Sequence, residues 1–517
     1  MTIKPMRPLF PDYFRLHAKW RGNKPALLVD GQSLSWRDFN GRMNQVANAL
    51  HADGVSRGKR AVIFMDNGRA MTELLFGLMK AGVASAPLNL SVSDAAIRAM
   101  IADCQADAIF VSAAHAARID RLLTTMGREA PGLRICAGEA AGWTRYADWV
   151  KTGSTEEPTD RVQPDDILNI IYSSGTTGQP KGIVHTHQGR IDWAYDLASA
   201  LRYNSQSRVM VTIGLYSNIT WVGMLSSVVF GGSLLVADRF DADMCWTAIA
   251  KHGVTHFSMV PILFERLIDA DPGPQVDTSA IGGMVSAGSP LRPDLRERIF
   301  SRFDCGITEL YGLTEGVITT LDPEDATGRM ASCGLPLPGS DLMILDETDQ
   351  LCPSGQSGEI LMTSRFLMPG YLNRDDATRD ATYVDANGQH WLRTGDIGRL
   401  DADGYLYVVD RKKDMILSGG QNIYPQDIEA VLASHEGVSD VAVIGVPSRK
   451  WGETPLAIIA SKGNGLDVKA LREWANARLG KQQRIADVKL VDEVPRNPNG
   501  KVLKRELRAQ FSGTEYD

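Results

Sequence analysis

Residues Ser173 to Gly182 read SSGTTGQPKG, a composition suited to gripping a polyphosphate. Gly175, Gly178 and Gly182 permit positive φ and close backbone approach to an anion, while Ser173, Ser174, Thr176 and Thr177 bring hydroxyl donors and Lys181 a positive charge. The apolar run Ile167 to Tyr172 just before has the length of a buried strand. The loop is therefore expected at a strand's carboxyl end, where α/β sheets bind their ligands. It does not meet the Walker A pattern, because Pro180 precedes the lysine and Gly182 follows it. A flexible Gly/Ser/Thr linker would match the composition, but not the strand lead-in or the Pro-Lys-Gly close.

Further segments carry polar residues that a purely structural chain would not need. Tyr311-Gly312-Leu313-Thr314-Glu315 ends in a hydroxyl and a carboxylate, a pair suited to a phosphate and its magnesium ion. Arg393-Thr394-Gly395-Asp396 sets a carboxylate on a tight turn, where it can hold ribose hydroxyls, and Arg411 lies just beyond. Near the end, Pro495-Arg496-Asn497-Pro498-Asn499-Gly500-Lys501 presents a lysine on a turn-rich loop. Taken singly, Asp396 reads as a turn residue, and Glu315 and Lys501 as solvated charges. It is their company that gives them meaning. His185 and His187 follow the phosphate loop, and no imidazole is needed there.

The elements that must position these residues follow from length and pattern. A chain of 517 residues exceeds one compact core, so two or more domains are expected. A net charge of -7 gives no broad positive field, and no nucleic-acid partner is expected. The most apolar stretch, Gly223 to Ala237, is short and broken by Ser226, Ser227, Gly231, Gly232 and Ser233, which suits a buried element and not a membrane span. The N-terminus lacks a signal-peptide pattern, so a cytoplasmic address is expected. The 6 cysteines form no C-x-x-C pair and are expected as reduced thiols, with no zinc site. Ser35 to Asp38 makes a capping box, and Phe39, Met43, Val46 and Leu50 predict a helix that Gly54 ends. Apolar runs such as Ala61 to Met65, Ile109 to Ser112, Val209 to Ile213 and Phe257 to Val260 alternate with helical segments, predicting an α/β architecture with buried strands. A boundary is expected near residue 410, where the charged run Asp410 to Asp414 follows the strand Tyr405 to Val409.

In this order, the phosphate loop, YGLTE, TGD, DRKKDMILSGGQNIYP, the Trp451-Gly452-Glu453 turn and PRNPNGK resemble the AMP-forming acyl-CoA synthetases, in the superfamily that holds peptide-synthetase adenylation domains and beetle luciferases. The likeness covers most of the chain. It implies a large N-terminal domain of layered α/β subdomains, residues 1–410, holding ATP and the acyl group. A small mobile C-terminal α+β domain, residues 411–517, would carry the catalytic lysine. The implied activity is ATP-dependent carboxylic acid:CoA ligation through an acyl-adenylate, with release of AMP and pyrophosphate; ATP and Mg²⁺ are required and CoA is the co-substrate. The oligomeric state, including a homo-oligomer, is left open.

Residue by residue, the resemblance implies that Ser173, Ser174, Gly175, Thr176, Thr177, Gly178 and Lys181 hold the ATP phosphates. Thr314 would contact phosphate and Glu315 magnesium. Gly288, Tyr311 and Gly312 would frame adenine, and Asp396 and Arg411 would bind ribose. Lys501 would reach the α-phosphate and the acyl carboxylate. Lys413 would be the hinge, and Ser418, Gly419 and Gly420 would shape the CoA tunnel. Tyr216, Ser217, Asn218, Trp221, Gly316 and Val317 would line the acyl pocket.

The chain departs from the family where many relatives read Pro-Leu-Phe-His and it reads Gly214-Leu215-Tyr216-Ser217, which changes the gate to the acyl site. Asn218 cannot supply the charge that anchors a substrate amine, so an α-amino acid is disfavoured. Aromatic walls without a lysine or arginine favour an uncharged tail, either a medium-chain fatty acid or an aryl or cyclic acid. A second departure, Gln482-Gln483-Arg484-Ile485, leaves the phosphate loop and Lys501 untouched. The competing reading is a stand-alone adenylation enzyme that loads a carrier-protein thiol. A luciferase-type oxygenase finds no specific support.

Overall fold

The computed structural model describes residues 6–173, 180–418, 421–463, 465–481, 483–496, 502–511 and 516. The chain forms two compact units: Met1–Met330 with Pro336–Asp341 and Thr363–Leu392, and a smaller one of Ala331–Leu335, Leu342–Met362 and Arg393–Asp517. The architecture is mixed α/β, as the sequence predicts.

The larger unit contains two sheets. One runs in the order Thr144–Arg145, Leu133–Ala137, Ala108–Ser112, Arg60–Phe64, Ala84–Pro87, Ile167–Ser173, Lys181–Thr186. All of its pairings are parallel except the last. The other runs Val317–Leu321, Thr308–Leu313, Gly283–Ala287, His256–Met259, Arg208–Val211, Ser233–Val236, Pro25–Val29, Gln32–Ser35. Parallel strands with helices on their faces bury both sides, which is why these segments read as continuous apolar runs. A single core takes Ala61 and Ile63 from the first sheet and Leu27, Val209 and Val211 from the second, together with residues of the helices between them.

Local rules account for those helices. Helix Trp36–Ala52 starts where the Ser35 side chain accepts the Asp38 amide and presents Phe39, Met43, Val46 and Leu50 to the core. The stretch from Gly223 is most of helix Asn218–Phe230, buried nearly all round, followed by strand Ser233–Val236. A helix apolar on every face belongs inside a core. Among the described residues no helix is long and apolar enough to cross a membrane. All six cysteines are free.

In the smaller unit, Gln421–Ile423, Ile416–Ser418, Gly452–Ser461 and Val438–Ser448 form a sheet in that order, with Asp487–Val491 parallel to Gly452–Ser461. Helices Pro425–Ala433 and Val468–Asn476 cover it through Ile428, Leu432, Leu471 and Ala475. A separate ladder pairs His390–Leu400 with Leu406–Arg411.

Candidate functional site

Ser173 and Lys181 face each other across the antiparallel pair Ile167–Ser173 and Lys181–Thr186. Ser174, Gly175, Thr176, Thr177 and Gly178 lie outside the described residues. Segment 370–372 is laid against this strand: the Leu372 amide donates to the Gly182 carbonyl at 2.7 Å and the Val184 amide to the Gly370 carbonyl at 3.2 Å. That contact brings the Tyr371 ring to 4.9 Å from the Lys181 ammonium. The Tyr371 hydroxyl in turn donates to Glu315 Oε1 at 2.8 Å. Burial, and then the charge of Glu315, hold the phenol well above its ordinary range, so it stays a donor.

Glu315 owes its place to a hairpin. Strands Thr308–Leu313 and Val317–Leu321 pair antiparallel with Leu313 opposite Val317, leaving Thr314, Glu315 and Gly316 on the turn. Gly316 has φ +103, and a Cβ there would run into the Phe366 carbonyl oxygen, so only glycine fits. The Met368 amide donates to the Glu315 carbonyl at 2.8 Å and Ser364 Oγ to the Gly316 carbonyl at 2.6 Å, locking the turn. Gly288 follows the neighbouring parallel strand Gly283–Ala287, whose Ala287 pairs with Leu310, so it lies level with Tyr311 and Gly312. Among the described residues no three His, Cys, Asp or Glu side chains gather to hold a metal. Thr314 and Glu315 offer hard oxygens of the kind Mg²⁺ takes alongside substrate phosphates, so the residues fit that ion.

The segment expected to line an acyl pocket starts at Gly214, where a Cβ would overlap the Tyr216 ring. Tyr216 and Asn218 are half-buried, and Ser217 and Val317 are buried. Trp221 is 0% exposed, with its indole N–H donating to the Leu215 carbonyl at 2.8 Å. One expectation is corrected: the region does hold a cation. Arg190, from helix His187–Ala200, donates to Asn218 Oδ1 at 2.9 Å and lies 5.3 Å from the Trp221 ring. It escaped notice because it belongs to a helix well before the pocket segment.

In the smaller unit, Asp396 stands opposite Arg411 in the His390–Leu400 ladder, with Arg411 Nε 2.8 Å from Asp396 Oδ1. Thr394 Oγ1 accepts the Asp396 amide at 3.1 Å and donates to the Ile360 carbonyl at 2.7 Å, fixing the carboxylate on its strand. Asp410 accepts the Gln426 amide at 3.1 Å, and burial pushes its carboxyl up to about 6. Lys413 is exposed, yet partial desolvation of its ammonium lowers it below the ordinary value. Ser418 ends strand Ile416–Ser418 and is buried. Gly419, Gly420, Gln482 and Lys501 lie outside the described residues.

Sequence reasoning missed Tyr371 and Arg190. For Arg190 a signal existed: it occupies the stripe of Ile191, Ala194, Leu197 and Ala198 on the buried side of its helix, where an arginine is out of pattern. Nothing local distinguishes Tyr371.

The AMP-binding enzyme family matches residues 14–372, and the AMP-binding enzyme C-terminal domain matches residues 427–501. Over 483 residues the chain is 32% identical to a long-chain-fatty-acid–CoA ligase of Mycobacterium tuberculosis, covering 93% of this chain and 94% of that one. Over 500 residues it is 31% identical to a feruloyl-CoA synthase of an Amycolatopsis species, covering 96% and 97%. Among solved structures, ATP-bound MatB from Rhodopseudomonas palustris superposes with a TM-score of 0.88 at 25% identity, over 98% of this chain and 99% of that one.

Proposed function

The chain belongs to the AMP-binding enzyme family, and from that premise we propose that it is an ATP-dependent carboxylic acid:CoA ligase. The observation that carries this reading is the convergence of Lys181, Tyr371 and Glu315, a cation and a carboxylate joined by a phenol, beside the strand pair that opens on the phosphate loop. The full-length likeness to two CoA ligases supports the acceptor.

In the first step the substrate carboxylate attacks the α-phosphorus of ATP, forming the mixed anhydride acyl-AMP and expelling pyrophosphate. Mg²⁺ would neutralise charge on the phosphates, with Glu315 and Thr314 as its protein oxygens. Lys181 would hold the phosphates, and the backbone at Gly288 with Tyr311 and Gly312 would frame adenine. Asp396, oriented by Arg411, would accept the ribose hydroxyls. Lys501 would meet the attacking carboxylate and the α-phosphate, where two anions must approach. In the second step the CoA sulfur attacks the acyl carbon, AMP leaves, and the thiol proton passes to solvent.

The second step needs no lysine at the phosphate, so one site must be rebuilt between the two. A C-terminal domain, residues 411–517, turning about Lys413 would do this and bring the Ser418 to Gly420 loop to the CoA tunnel. The half-buried ring of Tyr216 favours a medium-chain or an aryl or cyclic acid, whereas Trp221, expected beside it in the pocket, is closed into the core. A cytoplasmic setting, where ATP and CoA are held, fits this chemistry.

The test is pyrophosphate and AMP release with ATP, Mg²⁺ and a panel of fatty, aryl and cyclic acids, with and without CoA. CoA-dependent turnover to a thioester is expected; turnover indifferent to CoA would favour a carrier-protein thiol as acceptor. Lys501→Ala should slow adenylation by about 10²–10³ while sparing thioester formation from supplied acyl-AMP. Equal loss in both half-reactions would remove Lys501 from the first step.

A further inference from the structure

Among the described residues, the buried cations are Lys80, Arg190 and Arg296. Lys80 lies 2.7 Å from Glu157 Oε2, and Arg296 pairs with Glu309. Arg190, 1% exposed, has no carboxylate partner among the described residues: its Nε donates to Asn169 Oδ1 at 3.0 Å and its Nη2 to Asn218 Oδ1 at 2.9 Å, both neutral amides. A desolvated charge met only by amide dipoles remains electrostatically incomplete. An apolar side chain would fill this helix position at lower cost, so packing gives no reason for a guanidinium.

The surroundings deepen the asymmetry. Ser85, Asn169 and His185 stand opposite one another on adjacent strands of one sheet, and residues so paired point to the same face. Among the described residues, the buried atoms Ser85 Oγ, Asn169 Nδ2 and His185 Nε2 find no hydrogen-bond partner. Burial, and then the charge of Arg190, keep His185 neutral, while Arg190, lowered by burial to about 9, is still cationic at neutral pH. No anion stands among these groups. Trp193 and Trp221 flank the guanidinium at 4.8 and 5.3 Å, walls that keep its charge from being screened.

One edge of this cluster reaches accessible space. Asn218 is half-buried in the first turn of helix Asn218–Phe230, beside Tyr216 and Ser217. Because its Oδ1 is engaged by Arg190, its amide nitrogen is left as a donor, and the helix N-terminus adds partial positive charge.

We propose that Arg190 and Asn218 form a receptor for a second anionic group on the acid substrate, so that this ligase selects acids carrying a carboxylate or sulfonate besides the one it activates. Asn218 Nδ2 donates to that group, and the guanidinium behind it supplies the countercharge. The expectation of an uncharged tail, drawn from the lack of a cation in the pocket segment, gives way to it. The proposal rests on the ligase reading.

The test uses hydrolysis-resistant acyl-sulfamoyl adenosines in matched pairs, one linear and one aromatic, each an ω-carboxylate and its carboxamide, with affinities measured by titration calorimetry on the full chain. The carboxylate member should bind about 100-fold more tightly in at least one pair. Arg190→Leu should erase that difference. Asn218→Asp should also erase it, by giving Arg190 a carboxylate of the protein's own, and it keeps the test open should Arg190→Leu fail to fold. Equal binding of both members in every pair, or a preference that survives both substitutions, overturns the receptor and leaves the ligase reading standing. If no analogue binds at all, the adenylate reading itself fails and takes the receptor with it.

Discussion

Two helices of the larger unit each direct an arginine inward, and the surroundings of the two could hardly differ more. Under helix Pro293–Arg302, Arg296 meets Glu309, whose carboxylate also accepts the Leu291 amide at 3.1 Å. Under helix His187–Ala200, Arg190 is buried as deeply and, among the described residues, its hydrogen bonds go to amide oxygens. Burial alone therefore does not tell the two apart; the partner does. A buried guanidinium–carboxylate pair meets charge with charge inside the fold and acts as a joint whatever else is bound, although Arg296 Nε and Nη1 find no acceptor among the described residues. A guanidinium held by amides leaves its countercharge to come from outside, which is how a protein keeps a charge in reserve for a ligand.

The comparison can be broken most sharply at the joint. Glu309→Ala strands Arg296 in the core and should cost about 3–5 kcal/mol, read as a fall in the denaturation midpoint, with the preference between matched analogues unchanged. A variant of wild-type stability would mean that Arg296 does not depend on its partner.

The next effect belongs to the region of Arg190. His185 and His187 are buried and neutral; burial lowers His187 to about 3 and His185 well below its ordinary value. Each is a base whose folded pKa lies below its unfolded one. The unfolded chain thus binds more protons below pH 6.5, and stability falls as pH falls through that value. The two together should cost about 2 kcal/mol between pH 6.5 and 5.5. Burial pushes the carboxyls of Glu309 and Asp410 up to about 7 and about 6, which opposes this loss in the same window, so the check is the difference in denaturation midpoint between wild type and a His185→Gln, His187→Gln variant; a difference that does not change from pH 6.5 to 5.5 would mean that the histidines are not held neutral.

The smallest effect sharpens the contrast. Arg296→Met combined with Glu309→Leu replaces the joint by apolar side chains and should leave stability within about 1 kcal/mol of wild type, because removing both partners strands neither. A loss as large as that of Glu309→Ala would show that the pair contributes more than its own neutralisation.

Much of the fold was legible because it follows from near neighbours. The Ser35 N-cap and the spacing of Phe39, Met43, Val46 and Leu50 specify helix Trp36–Ala52, and strand Arg60–Phe64 falls on an unbroken apolar run. The turn carrying Thr314 and Glu315 was legible as a motif, and Gly316 secures it locally. Tyr371 was not legible, since its value lies in touching Lys181 and Glu315, both distant along the chain. Arg190 was legible only as an anomaly, an arginine on an apolar stripe, and a helical pattern cannot say whether a carboxylate waits opposite.

The sequence by itself determined the family, the order of the phosphate-loop, hairpin and ribose motifs, and the α/β layering, because these depend on spacing and on residue types within a few positions of one another. Only the tertiary structure decided which charges are neutralised. Arg296 finds Glu309 on a neighbouring strand, whereas Arg190 finds Asn169 and Asn218. Coulomb and desolvation energies depend on distances through space, which no local pattern encodes.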